Sequence, residues 1–385
     1  MAATSEDGFV WIESRPQPFC LLTRPENVYQ ALVAPTSQMR RWSGSPELQE
    51  FLGESIITAQ DTGMRQKTLP AFHRQHLETW RRQIEALAAE RLLPSLSGGP
   101  LNLKNRFEPF TLEAVGRLLF DADLREVSAE IGDLVRRIAI PTYWRSDFYA
   151  PLTPDVKASC AAIRELLRGV FRTQREAIEA SPIFQMLRAE PAATEAQIFA
   201  EFCGFLLSSI MTTGHVLSAA CWHLAHHESA QQELHHALVK EMGHEAFDRV
   251  ILESLRLCPP VWMIGREATG EVTICSKSFS AGTLFLICPW LMHRISFEQG
   301  DAFLPGRWKA TEAEAPRGAF LPFSLGVRRC MGQSMSLLLL QIALRSILSR
   351  FILKPDERSP EFSIRPGVLL AMTSDTWVQL QPKHS

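Results

Sequence analysis

The chain has 385 residues, 46% of them apolar and 21% charged, with a formal charge of −2. That length allows two or three domains or one large enzyme fold, and the composition excludes collagenous, disordered and disulfide-framework chains. Near-zero net charge gives no electrostatic case for nucleic acid as a main partner.

The N-terminus, MAATSEDGFVWIESRP, carries acids before its first base at Arg15 and has no apolar core, which argues against a secretory signal. No run of 18 apolar residues precedes the folded part, so neither a membrane anchor nor an exported chain is expected. Residues 8–34 read as two short strands, FVWIE and FCLLT, then a helix opened by Pro25-Glu26-Asn27. From Glu47 to about Glu179 apolar residues recur at three- and four-residue spacing, which predicts mostly helix. Breaks fall at Pro70, 95–100 and Pro151–Pro154.

Thr194 to His227 is the longest and most apolar helical stretch. Phe202 to Ala225 holds no Lys, Arg, Asp or Glu, but Ser208, Ser209, Thr212, Thr213, His215, Ser218 and His223 make it a poor membrane span. A helix buried through the middle of the protein is expected. A further helix covers Phe247 to Leu257 and stops at Pro259-Pro260. Beyond it GEVTICSKSFSAGTLFLICPW alternates and reads as short strands. A loop-rich stretch then leads to Cys330, the helix MGQSMSLLLLQIALRSILSRF and a strand-like tail. The pattern is mainly α (α+β), with no linker that divides it.

The eight cysteines, at 20, 160, 203, 221, 258, 275, 288 and 330, form no C-x-x-C pair, which points to a reduced, cytoplasmic chain. Cys330 stands apart. It precedes an apolar helix, facing unpaired N–H groups and the positive end of the dipole, with Arg328 and Arg329 beside it. Those features favour thiolate. Gly326 and Gly332 remove side chains near the sulfur, so a large flat group can approach the backbone. A buried structural cysteine is the plainer alternative.

The spacing F-x-x-G-x-R-x-C-x-G at Phe323, Gly326, Arg328, Cys330 and Gly332 resembles the haem-binding signature of the cytochrome P450 superfamily. Glu253-Ser-Leu-Arg256 resembles the family's E-x-x-R helix, and Phe303-Leu-Pro305-Gly-Arg307-Trp308 its later arginine loop. The resemblance implies one P450 domain over 1–385. It would have a β-rich part at about 8–34, a helical core at about 47–257 and 330–351, a haem-binding loop at 323–332, and the long central helix lying over a buried haem b. Cys330 would be the axial ligand of the haem iron, with Phe323, Gly326 and Gly332 shaping its loop. Arg65, Arg266 and Arg328 would meet the propionates, and Glu253, Arg256 and Arg307 would form a structural triad.

Two departures stand out. The position four residues before Arg65, usually Trp or His, is Asp61, in a segment about three residues short. In the central helix the family's (A/G)-G-x-(D/E)-T-T reads Ser208-Ser209-Ile210-Met211-Thr212-Thr213. Thr212, with Thr213, keeps the alcohol, but Met211 replaces the usual acid and methionine carries no proton. His215, one turn on, reads as a satisfied core histidine.

The resemblance therefore implies a monooxygenase using dioxygen and electrons from a ferredoxin or flavodoxin with its reductase, in a tailoring step of specialised metabolism. The alternatives are an atypical member, driven by peroxide or performing rearrangement, nitration or radical coupling, and a non-catalytic haem-binding protein. Phe205, Ile210, Val261, Trp262 and Met263 are the expected apolar pocket walls, suited to a terpenoid, polyketide or aromatic substrate. Segments near 36–58, 140–160 and 369–372 would complete the pocket. Arg40, Arg41 and Trp42 are either surface loop or a site for an anionic group.

Overall fold

The computed structural model describes residues 6–13, 17–42, 52–60, 63–139, 152–190, 193–240, 243–309, 315–361, 363–367, 369–372 and 376–383. Asp61 and much of the expected pocket segments, 43–51 and 140–151, lie outside them.

The 32-residue helix Glu195–His226 runs through the main apolar cluster. Its start is fixed by a reciprocal cap: Gln197 N–H donates to Thr194 Oγ1 at 3.2 Å, and Thr194 N–H donates to Gln197 Oε1 at 2.9 Å. It is the one helix among the described residues long and apolar enough to cross a membrane, yet 83% of its apolar window is buried inside the protein. The core expectation holds. Leu103–Phe120 packs along it, and Phe120 meets Phe202 edge-on at 4.8 Å. The Thr213 hydroxyl lies 3.1 Å from that of Ser336 in the helix Gln333–Arg350.

The strands gather to one side. A five-stranded sheet has the order Phe9–Ile12, Phe19–Leu22, Leu284–Ile287, Ile264–Ala268, Met39–Arg41. Only Phe19–Leu22 and Leu284–Ile287 pair in parallel within it. The edge strand places Arg41 opposite Arg266. Gly99–Asn102, which reads as a break in the sequence, is a strand paired with Trp377–Pro382. Its glycine and proline are tolerated at the edge of that three-stranded sheet.

Candidate functional site

The loop carrying Cys330 is built from its own backbone and two distant elements. Cys330 N–H donates to the Phe323 carbonyl at 2.9 Å, closing the turn. Gly326 holds φ of 71°, and an added Cβ would collide with the Leu32 carbonyl of the helix Pro25–Val33. This corrects the expectation for Gly326: it is small to meet Leu32, not to open space at the sulfur. Gly332 does face the sulfur, with an ideal Cβ 4.0 Å from Sγ. Phe323 packs on the main apolar cluster.

Of the eight cysteines the residue Cys330 alone is exposed. The sulfur is nevertheless ringed by protein, and that desolvation pushes the thiol up. The Gly332 N–H, Arg65 and Arg329 pull it down. Desolvation wins, so helix and arginines alone do not reach the expected thiolate. A coordinated metal ion would, since it deprotonates a bound thiol outright.

Arginines surround this loop. Arg65 spends its guanidinium on loop carbonyls: Nε donates to Val327 at 3.1 Å, and Nη2 donates to Arg329. It sits in a helix of only six residues, Gly63–Thr68. Arg328 Nη2 donates to the Gln60 carbonyl. Arg266 is 6% exposed, and burial first, then the charges of Arg328 and Arg41, lower it to about 10. No carboxylate pairs with Arg266 or Arg41 among the described residues. Arg40, by contrast, forms a surface pair with Glu267, its Nε at 3.0 Å from Oε2, and Trp42 is buried.

Glu253, Arg256 and Arg307 come together. Glu253 and Arg256 are fully buried, with Arg256 Nε and Nη2 each 2.9 Å from the carboxylate and Arg307 Nε at 3.1 Å. Trp308 Nε1 and Leu304 N–H donate to the same carboxylate at 2.9 and 2.8 Å. Sequence reasoning missed His293. One ring nitrogen lies 3.0 Å from the Arg256 carbonyl, and the other accepts the Leu321 N–H at 2.7 Å. Burial pushes this imidazole down to about 3, so it is neutral and keeps one tautomer.

On the central helix Thr212 Oγ1 donates to the Ser208 carbonyl at 2.7 Å. Thr213, expected beside it in the chemistry, is instead 4% exposed and bonded to Ser336, because the 100° step per residue turns it toward another helix. Met211 lines a small pocket with Lys104, Glu108, Arg136, His215 and Leu370. His215 is not a fully satisfied core residue: its Nε2 is buried without a hydrogen-bond partner.

The apolar walls divide. Phe205 is half-buried, 5.6 Å from the Phe72 ring. Val261 is 40% exposed, and Trp262 Nε1 donates to the Gly367 carbonyl at 2.8 Å. Ile210 is wholly buried in the main apolar cluster. Met263 packs on the cluster around Trp42 and Leu286.

Beside these walls Glu201, 7% exposed, accepts the Ile56 N–H on both oxygens at 2.8 and 2.9 Å. Burial pushes its carboxyl from 4.5 up to about 7 against that hydrogen bond. A raised folded-state value means the folded protein holds the extra proton between those limits, so stability falls as pH rises through them. Denaturant titrations at pH 5 and pH 8 should show Glu201→Gln gaining on the wild type by up to about 3 kcal/mol at the higher pH. An unchanged difference would remove the titrating clamp.

The Cytochrome P450 family model matches residues 3–377. The chain belongs to the cytochrome P450 family. Cyclooctatin synthase of Streptomyces melanosporofaciens is 24% identical over 93% of this chain and 85% of its own length. Cyclooctat-9-en-7-ol 5-monooxygenase of the same organism is 24% identical over 88% and 81%. Among solved structures, CYP175A1 from Thermus thermophilus superposes with a TM-score of 0.80 at 20% identity, over 97% of this chain and 92% of that one. The fold is therefore that of P450 enzymes, the activity is a monooxygenase's, and the cofactor is haem b, with dioxygen and redox partners. The residues around Cys330 fit that group: a soft ligand on an exposed residue, the buried guanidiniums of Arg41 and Arg266, which pair with no carboxylate among the described residues, and apolar walls.

Proposed function

We propose that this P450 oxidises a hydrophobic small molecule, of terpenoid, polyketide or aromatic type, in a tailoring step of specialised metabolism. Cys330 would hold the haem iron, Arg266 and Arg328 would hold its propionates, and Phe323 and Gly332 would shape the loop. Glu253, Arg256 and Arg307 lock that loop, and Arg65 fixes its carbonyls. Residues 1–385 act as one domain in the cytoplasm, served by a separate ferredoxin or flavodoxin and its reductase. The observation that carries the reading is Cys330, alone exposed among eight cysteines, together with the buried Arg266 guanidinium, which pairs with no carboxylate among the described residues. The names of the two Streptomyces relatives support a low-polarity substrate. Phe205, Val261 and Trp262 are its walls.

Haem b, when bound through a thiolate, supplies chemistry that favours O–O cleavage. The chain must hold water and move protons there. Thr212 gives its own proton to Ser208, so its oxygen lone pairs remain to accept a water proton. Thr212→Val keeps the shape and removes that acceptor. With oxygen, NAD(P)H and surrogate redox partners, coupled product should fall about ten- to hundredfold while reductant is still consumed and peroxide accumulates. Unchanged coupling would remove Thr212 from the proton path.

A second reading keeps a specific observation. After Glu201 the central helix carries no carboxylate. Glu108, which shares the pocket of Met211, is committed to Arg136 Nη1 at 2.8 Å. A peroxide-driven or otherwise atypical member needs no acid there. Product formed with peroxide but never with oxygen and reductant would select it.

A further inference from the structure

We propose that Arg41 is a haem-anchoring residue, gripping a propionate from the sheet edge together with Arg266 and Arg328. Arg41 and Arg266 are direct partners across an antiparallel pair, where like charges repel. Side chains alternate along the strand, so Arg40 goes to Glu267 at the surface and Arg41 to the other face. There Arg41 is held under load. Trp42, 6% exposed, packs on Gly265, where an added Cβ would collide with its ring, and meets Phe19 edge-on at 5.0 Å. The strand cannot lift away to let the guanidinium out.

Arg41 Nη1 is buried with no hydrogen-bond partner. Burial first, then the charge of Arg328, lowers Arg41 to about 10, and Arg41 and Arg328 act on Arg266 in the same way. Neither Arg41 nor Arg266 has a carboxylate among the described residues. A buried charge left unpaired is strongly unfavourable, and a cluster of three like charges is worse. An anion with more than one negative charge relieves all of them, and guanidinium forks match carboxylates two bonds at a time. Haem b brings two carboxylates. Arg65 has its Nε and Nη2 on the loop carbonyls, and Arg41 adds a cation from the sheet.

The proposal rests on haem seated at Cys330, and the test separates the two. Release of the cofactor from the holoenzyme to a haem-scavenging apoglobin is timed for wild type, Arg41→Lys and Arg41→Gln. Each is loaded with haem b or with its propionate dimethyl ester. With haem b, Arg41→Gln should release about ten- to hundredfold faster, with Arg41→Lys between and the reduction potential more negative in the glutamine variant. With the ester, all three should release alike. The apoprotein of Arg41→Gln should melt no lower than wild type, because an unpaired buried charge is gone. Equal release of haem b from all three overturns the proposal and leaves the cradle to another anion. Faster release of both haem b and ester by Arg41→Gln also overturns it, as a packing defect. A wild-type carbon monoxide spectrum without thiolate character would sink the Cys330 reading, while the ester comparison would still decide the role of Arg41.

Discussion

Cys330→Ser is expected to abolish the long-wavelength Soret band of the reduced carbon monoxide complex, the band that names the family, and to reduce monooxygenase turnover to background. The thiolate is the soft, electron-rich ligand that this iron chemistry requires, and a serine hydroxyl does not ionise to replace it. The fold should survive. Cys330 is exposed, and its bond to the Phe323 carbonyl is made by the backbone N–H, which serine keeps. Melting within about 1 °C of wild type would exclude unfolding as the cause. The other seven cysteines are buried or half-buried. A spectrum unchanged in the variant would move the ligand elsewhere and overturn the site built around this loop.

What was legible in the sequence was what is local in it. The Cys330 loop, the Glu253–Arg256 turn and the helix Glu195–His226 each write their residue types at fixed spacing within one segment, so motif and period read them directly. The misses all depend on chain brought from far away. Gly326 is small because of Leu32, and Gly99–Asn102 is a strand because Trp377–Pro382 pairs with it. His293 has no motif; its work is defined by Arg256 and Leu321. Arg41 reads equally as surface loop or anion site until the register sets it against Arg266. Thr213 and Ile210 followed the motif on paper, but helix rotation turns one to Ser336 and buries the other.

Glu253→Gln should be the most damaging change away from Cys330. Five donors converge on the two carboxylate oxygens: Arg256 Nε and Nη2, Arg307 Nε, Trp308 Nε1 and the Leu304 N–H. An amide keeps the shape but offers one acceptor oxygen and turns an N–H₂ toward donors. It also leaves Arg256, 0% exposed, without its counter-charge. Breaking a buried pair from one side costs about 3–5 kcal/mol, a large share of a typical total of roughly 5–15. An exposed pair such as Arg40 with Glu267 stabilises by at most about 1 kcal/mol, so Arg40→Gln serves as the control. The damage should reach the cysteine by a traceable route. Arg256 donates to the carbonyls of His293, Gly300 and Ala302. His293 accepts the Leu321 N–H, and two residues on the Phe323 carbonyl accepts Cys330 N–H. Loosening the first link should therefore lower haem content as well as melting temperature, the latter by roughly 4–6 °C. A Glu253→Gln protein that melts like the Arg40→Gln control with full haem would show that this carboxylate does not hold the loop.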